Sequence, residues 1–197
     1  MKENLYKLNI KNRSLLRFII GLFPRFYKYH CNSLIVSIAR LRGANIGKNS
    51  SITLLLAIKS NKNLTIGNYS IIEASELDLR EKITIGNKVI INKGAIILRQ
   101  SHDLNSNVFK TIGSELIIED YAWITSNTII TPSCKIIQNS AVIATGSVVV
   151  KDVEQNIVVG GNPAKFIKDR PNIPNELEFD SLQGRDFFKY IKARFFN

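Results

Sequence analysis

The chain has 197 residues, is 45% hydrophobic and 22% charged, and carries a formal net charge of +11. This suits one globular domain with small terminal additions and excludes a disordered chain. The longest uncharged apolar runs, such as 52–58 (ITLLLAI), fall far short of the ~18 residues a membrane span needs. Eleven glycines and five prolines exclude collagen-like or linker-like chains.

The basicity belongs to the N-terminal segment: residues 1–48 hold ten Lys/Arg against Glu3 alone. Leu15, Phe18, Ile19, Leu22, Phe23 and Phe26 recur at helical spacing, with Arg17, Arg25 and Lys28 between them. Pro24 is expected to end or kink that helix. Leu34, Ile35, Ile38 and Leu41 form a second helical pattern stopped by Gly43. Arg17 interrupts the apolar stretch and no small-x-small cleavage site follows, so no signal peptide is read. Cys31 and Cys134, in no paired motif, fit a reducing, cytoplasmic setting. Two histidines and two cysteines without ligand spacing predict no metal site. Basic helices without an aromatic recognition motif predict no nucleic-acid partner.

From residue 46 the pattern changes. Thirty isoleucines and twenty asparagines crowd the chain, most of the isoleucines between 46 and 160. An aliphatic residue followed four places later by a small one recurs at Ile46, Ile66, Ile85, Ile91, Ile97, Ile118, Ile124, Ile130, Ile137 and Ile143, with further starts at Ile52, Ile72 and Val149. Most gaps are six residues. A period of six is neither helical nor a plain strand alternation. It describes a chain that runs straight, turns and repeats: a three-sided solenoid of about 18 residues per coil, with coils stacked at the ~4.8 Å spacing of paired strands. About five coils fit, with one excursion after Ile97. An ordinary β-sandwich would have to produce the hexads by accident.

This pattern resembles the hexapeptide-repeat acyltransferases, whose fold is a left-handed parallel β-helix. Three segments carry the likeness toward the polysaccharide and maltose-type O-acetyltransferases. The first is RQSHDLNSNVF (99–109), where the resemblance makes His102 the catalytic base, with Asp103 as a candidate helper and Asp78 as a candidate substrate-facing acid. Imidazole suits the task because its ordinary pKa of about 6.5 lets it accept a proton near neutrality. The second is DYAWITSNTIITPS (120–133), where Trp123, Thr125 and Ser126 match positions that meet the acetyl and pantetheine end of the cofactor. A fixed donor near Ser126 would hold the developing oxyanion. The third is ATGSVVVKDVEQNIVVGGNPAKFIKDR (144–170), similar to the family's GAGSVVTKD…GNPA. There Thr145 matches a pantetheine contact, and Lys151, Lys165 and Lys168 match positions bordering the coenzyme A phosphates, with Arg170 a weaker addition. Val150 replaces the usual threonine before the lysine, an extra residue lies near 136–137, and glycines are missing at Ile137 and Ala144.

The resemblance implies an acetyl-CoA-dependent O-acetyltransferase acting on a hydroxyl of a sugar or surface-polysaccharide precursor, with no metal and as a homotrimer. An amino-sugar N-acetyltransferase and a non-catalytic scaffold stay open. Carbonic anhydrases of this solenoid need three histidines. Serine acetyltransferases carry a long helical domain, and the nucleotidyltransferases an added Rossmann-like one. The expected organisation is mainly β: a basic helical cap over 1–45, which can also touch an anionic membrane, a β-helix over 46–170 with a loop at 103–117, and a C-terminal extension over 171–197 ending in a short helix at 187–196. That helix is expected to dock on the solenoid or on a neighbouring subunit.

Overall fold

A computed structural model describes residues 5–171 and 183–196. The chain divides into two units, residues 35–175 and residues 1–34 with 176–197. The first unit is a parallel β-solenoid of about six turns, the last one partial.

Three faces repeat in strict rotation. The first stacks strands 45–46, 64–66, 83–85, 116–118 and 136–137. The second stacks 51–52, 71–72, 90–91, 123–124, 142–143 and 157–160, and ends in the antiparallel strand 165–169. The third stacks 76–77, 96–97, 129–130 and 148–149. Ile66, Ile85, Ile118 and Ile137 line the first face inside, Ile72, Ile91, Ile124 and Ile143 the second, and Ile97, Ile130 and Val149 the third, all at most 2% exposed. These are the aliphatic positions of the hexads.

The hexad's fourth and fifth residues make the corners. Tyr69, Lys88, Tyr121, Asn127 and Ser140 take the left-handed conformation, with φ between 54° and 61°. The residue after each turns inward where a long side chain has no room, and is Ser70, Val89, Ala122, Thr128 or Ala141, all buried. The first corner, between the first and second faces, is tied by a side-chain ladder. Asn68 Oδ1 accepts from Lys48 N–H, Asn87 Oδ1 from Asn68 N–H, and Asp120 Oδ1 from Asn87 N–H, at 2.8, 2.8 and 2.7 Å. Part of the asparagine excess is explained by this ladder. A Cβ on Gly67 would sit 2.6 Å from the Gly86 carbonyl carbon of the next coil, so stacking requires glycine there.

Three features depart from the sequence reading. The turns number about six, not five. Apart from the coil with the excursion and the shorter last one, from Val142 to Val158, coils take 19 or 20 residues, as the pairs Asn45–Thr65, Ile71–Ile90 and Ile129–Val148 show, not 18. The surplus lies in the third corner, between the third and first faces. Finally, the first coil has no third strand. Leu56 stands where the small corner residue after Ile52 would be, and 54–59 coils into helix α3 (Leu54–Lys59), capped by the Thr53 hydroxyl on the Leu56 amide. Leu56 and Ala57 point inward from it.

The helices also differ. After α1 (Leu5–Lys11), a single helix α2 (Leu15–Leu41) passes through Pro24 without ending. Proline removes one backbone donor, and the packed positions on either side keep the helix intact. Val36 and Ala39, in its last turns, join the solenoid core, and Arg40 donates to the Ile46 carbonyl at 2.6 Å. In the other unit, helix α4 (Phe187–Phe195) packs on α1 and on the first half of α2, a partner the sequence reading did not name. Tyr190 stacks on Phe18 at 4.8 Å, Arg25 lies 3.9 Å over the Tyr190 ring and pairs with Asp186 at 3.0 Å, and Tyr6 donates to the same carboxylate. Glu176, Glu178 and Asp180, the acidic part of the extension, lie outside the described residues.

Ile118→Ala, in the middle of the first face, is expected to lower unfolding free energy by about 2–5 kcal/mol. Gly67→Ala should also destabilise, although it adds a methyl group. Denaturant titration followed by circular dichroism measures both, and a Gly67→Ala chain as stable as the parent would contradict the coil-to-coil spacing.

Candidate functional site

The excursion starts earlier than a loop over 103–117 and is built as a hairpin. It leaves the third face after Leu98, forms an antiparallel pair between 100–102 and 111–113, and rejoins the first face at Leu116. His102 sits at the outer end of this hairpin, opposite Thr111, and is exposed. Its Nδ1 lies 2.6 Å from the Phe109 carbonyl oxygen. A carbonyl only accepts, so Nδ1 carries the proton and the neutral ring keeps its lone pair on Nε2. The Phe109 ring meets the imidazole edge-on at 6.4 Å.

Asp103 does not touch the imidazole through a described bond. Its carboxylate accepts from the Asn105 amide at 2.9 Å, and its own amide donates to the Lys110 carbonyl, so it shapes the hairpin turn. Asp78 is buried at the third corner one coil earlier. It accepts two bonds from the Arg80 guanidinium at 2.7 Å and one from the Arg99 amide at 3.1 Å. The Arg80 bond is the main reason its carboxyl is held down to about 2, with the Arg99 and Arg80 amides adding to it against the effect of burial.

Arg99 was not singled out in the sequence, yet it roots the hairpin. It is 0% exposed, inside the widened third corner. It donates to the carbonyls of Cys134 at 2.9 Å, Glu115 at 3.3 Å and Thr131, and its own carbonyl accepts from Ser114 N–H at 3.1 Å. One side chain thus joins the strand entering the excursion, the strand leaving it, and the coil above. Gln100 adds a bond to Glu81 at 3.1 Å. Burial weakens the hold of the Arg99 guanidinium on its proton and pushes the neighbouring Cys134 thiol up to about 12, so this cysteine is inert.

The other candidates form a row on a different edge. Trp123, half-exposed on the second face, donates from Nε1 to Asn92 Oδ1 at 2.7 Å. Thr125 and Thr145 stack at the second corner, between the second and third faces, with their hydroxyls 3.1 Å apart. The Thr125 hydroxyl donates to the Ile143 carbonyl at 2.7 Å and its amide to the same oxygen. Ser126 gives its carbonyl to Gly146 N–H at 3.0 Å, while its amide and hydroxyl have no protein partner among the described residues. Lys165 and Lys168 are exposed on the strand that ends the second face, two strands beyond Val142–Ile143, the strand that leads to Thr145. Lys151 is exposed on the third corner, the His102 edge. Arg170 is a strut instead: its guanidinium donates to the carbonyls of Tyr121 and Ser140, both at 2.9 Å. Asn92 was missed, although its match to Thr125 one coil on was readable from the repeat.

One chain therefore sets its imidazole and its row of hydroxyls, free amide and cations on two separate edges of a three-sided prism. Among the described residues no cluster of His, Cys, Asp and Glu could hold a metal ion.

No protein-family model matches the chain. It is 45% identical over 64 residues, 32% of its length, to a chloramphenicol acetyltransferase of Klebsiella aerogenes. It is 52% identical over 52 residues, 26% of its length, to a 2,3,4,5-tetrahydropyridine-2,6-dicarboxylate N-acetyltransferase of Clostridium perfringens. The matches span only 30% and 22% of those relatives. Among solved structures, a hexapeptide-repeat acetyltransferase of Vibrio cholerae O1 biovar eltor, complexed with acetyl coenzyme A, superposes with a TM-score of 0.61 at 25% identity, covering 84% of each chain. A maltose O-acetyltransferase of Clostridium difficile 630 gives 0.51 at 25% identity, covering 72% of this chain and 87% of the other. The chain has the fold of hexapeptide-repeat acetyltransferases, and its relatives in sequence and structure are acetyltransferases.

Two outcomes are expected. Arg99→Met leaves several corner carbonyls without a donor and should destabilise by about 3 kcal/mol or more, read by denaturant titration. The folded pKa of Asp78 lies below the ~3.9 of an unfolded aspartate, so its contribution is full above that value and is lost as pH falls through about 2. The stability gap between the parent and Asp78→Asn should be widest above pH ~5 and close between about pH 4 and 2. A gap constant over that range would contradict the ion pair.

Proposed function

We propose that this chain transfers an acetyl group from acetyl-CoA to a hydroxyl of a sugar or surface-polysaccharide precursor, with His102 as the general base. The observation that carries the reading is the Nδ1 contact with the Phe109 carbonyl, because it holds a proton on Nδ1 and so places the lone pair of the neutral ring on Nε2. Nε2 takes the acceptor's proton as its oxygen attacks the thioester carbonyl. The Ser126 amide, or its hydroxyl, donates to the oxygen on which charge develops. The bond to sulfur then breaks, and the proton returns through the imidazole to the departing thiolate. Trp123, Thr125 and Thr145 border the thioester arm, and Lys165 and Lys168 meet the phosphates of the donor.

The donor row fits such a molecule. It offers hydroxyls and a free amide for an amide-bearing arm, followed by cations for an anionic end. Asp78 serves the same site indirectly by holding the amide of Arg99, three residues before the base, and Asp103 by setting the turn that follows it. Because the base and the donor row stand on different edges, the working site is completed where the third corner of one copy meets the second corner of another. A three-sided prism closes that arrangement as a homotrimer, and Lys151 then approaches the donor held by the neighbour.

A second acceptor class has one observation behind it. The N-acetyltransferase relative shares 52% identity over its matched segment, and a histidine base serves an amine as well as a hydroxyl.

His102→Ala is expected to lower kcat by about 10²–10⁴-fold with coenzyme A affinity unchanged, measured by acetyl-CoA turnover and by calorimetric titration of coenzyme A. Folded His102→Ala protein with parental turnover overturns the base. A parent that does not bind coenzyme A overturns the acetyltransferase reading. Mixed assemblies of His102→Ala and Thr145→Trp copies should regain activity that neither variant has alone.

A further inference from the structure

The unit of residues 1–34 and 176–197 carries a surface that acetyl transfer does not use. On one side of α2, Phe18 is buried and Arg25 is paired with Asp186. On the opposite side Leu16, Ile20, Phe23, Tyr27 and Leu34 follow at intervals of four, three, four and seven residues, which places them on one stripe. Each is between 61% and 75% exposed. Scattered exposed apolar side chains are ordinary, but a stripe of five along some 27 Å of helix marks a surface that is covered in use.

Charge identifies what covers it. α2 contains Arg17, Arg25, Lys28 and Arg40 and no acidic residue. The whole unit holds eleven Lys/Arg against five Asp/Glu. Arg17 and Lys28, both exposed, lie along one margin of the stripe. A second copy laid on this stripe would bring two acid-free helices together and oppose like charges. A bilayer with anionic headgroups meets both halves of the pattern, taking the apolar side chains into its boundary and the lysine and arginine at its phosphates. Phe23 and Tyr27 suit that boundary. No described helix is long and apolar enough to cross a membrane, so α2 would lie in the surface plane.

We infer that α2 is an in-plane anchor for an anionic lipid bilayer. This is independent of acetyl transfer and can fail without touching it. The test uses the full chain with vesicles of phosphatidylcholine alone or mixed with phosphatidylglycerol. Binding to the mixed vesicles, falling as salt is raised, is expected. The double variant Ile20→Gln, Phe23→Gln should weaken it at least about tenfold. Arg17→Ser with Lys28→Ser should weaken it about tenfold on mixed vesicles only. Both pairs are exposed, and circular dichroism checks the fold of each variant. No binding by the parent, or parental binding by either double variant, overturns the anchor. So does sedimentation showing that the stripe variant dissociates an oligomer while vesicle binding is unchanged.

Discussion

No strand in the solenoid is stable by itself; each is completed by the strands of adjacent coils. Most strands are two or three residues long. Their amides donate to the adjacent coil, as Ile71 does to Val89, Ile90 to Ala122, and Trp123 to Ala141. Aliphatic rows inside the prism supply the driving force, and the ladders outside them give it direction. A stack built this way has two open ends, and an open end is a row of unpaired backbone groups. At the beginning, Val36 and Ala39 of α2 enter the core. At the finish, the antiparallel strand 165–169 covers 157–160 and turns the exposed edge into a carrier of lysines.

That dependence separates position from chemistry. Faces are fixed by pairing and are lined inside by carbon, so reactive groups are left to the corners and to the outer surface. The second corner stacks Thr125 on Thr145 because one coil lies above the other, not because the two are near in sequence. The third corner holds His102 on a hairpin whose two roots are joined by Arg99. Rigid stacking of this kind suits transfer between two bound molecules, since it sets their separation before either arrives.

How much of this was readable follows from what is local. The inward isoleucines repeat every six residues, so the faces and their order were legible from the chain alone. The surplus of the longer coils was visible as irregular gaps, but its place in the third corner needed the pairing. Helix α3 was hidden because 52–58 is apolar throughout, and only the size of Leu56 argues against a corner. Pro24 pointed the other way from what packing allows. Among the candidate site residues, resemblance pointed to the lone histidine of the body and to the stretch around Trp123. The tautomer of His102 was not legible, because it rests on the Phe109 carbonyl seven residues away. Arg99 looked like any surface cation, and only the topology shows it enclosed. Neither could sequence show that His102 and the stacked Thr125 and Thr145 occupy separate edges.

The excursion has a broader consequence. Pairing across it joins Ile83 to Leu116, Ile90 to Trp123 and Ile96 to Ile129, the same neighbours in the same rotation as everywhere else in the stack. The architecture thus tolerates a long insertion at this corner without a shift in any face. A scaffold with that property can exchange the segment that greets incoming molecules while its own assembly code stays untouched. Diversification of what such a prism accepts would then be a matter of swapping ornaments at one seam, leaving the masonry as it was.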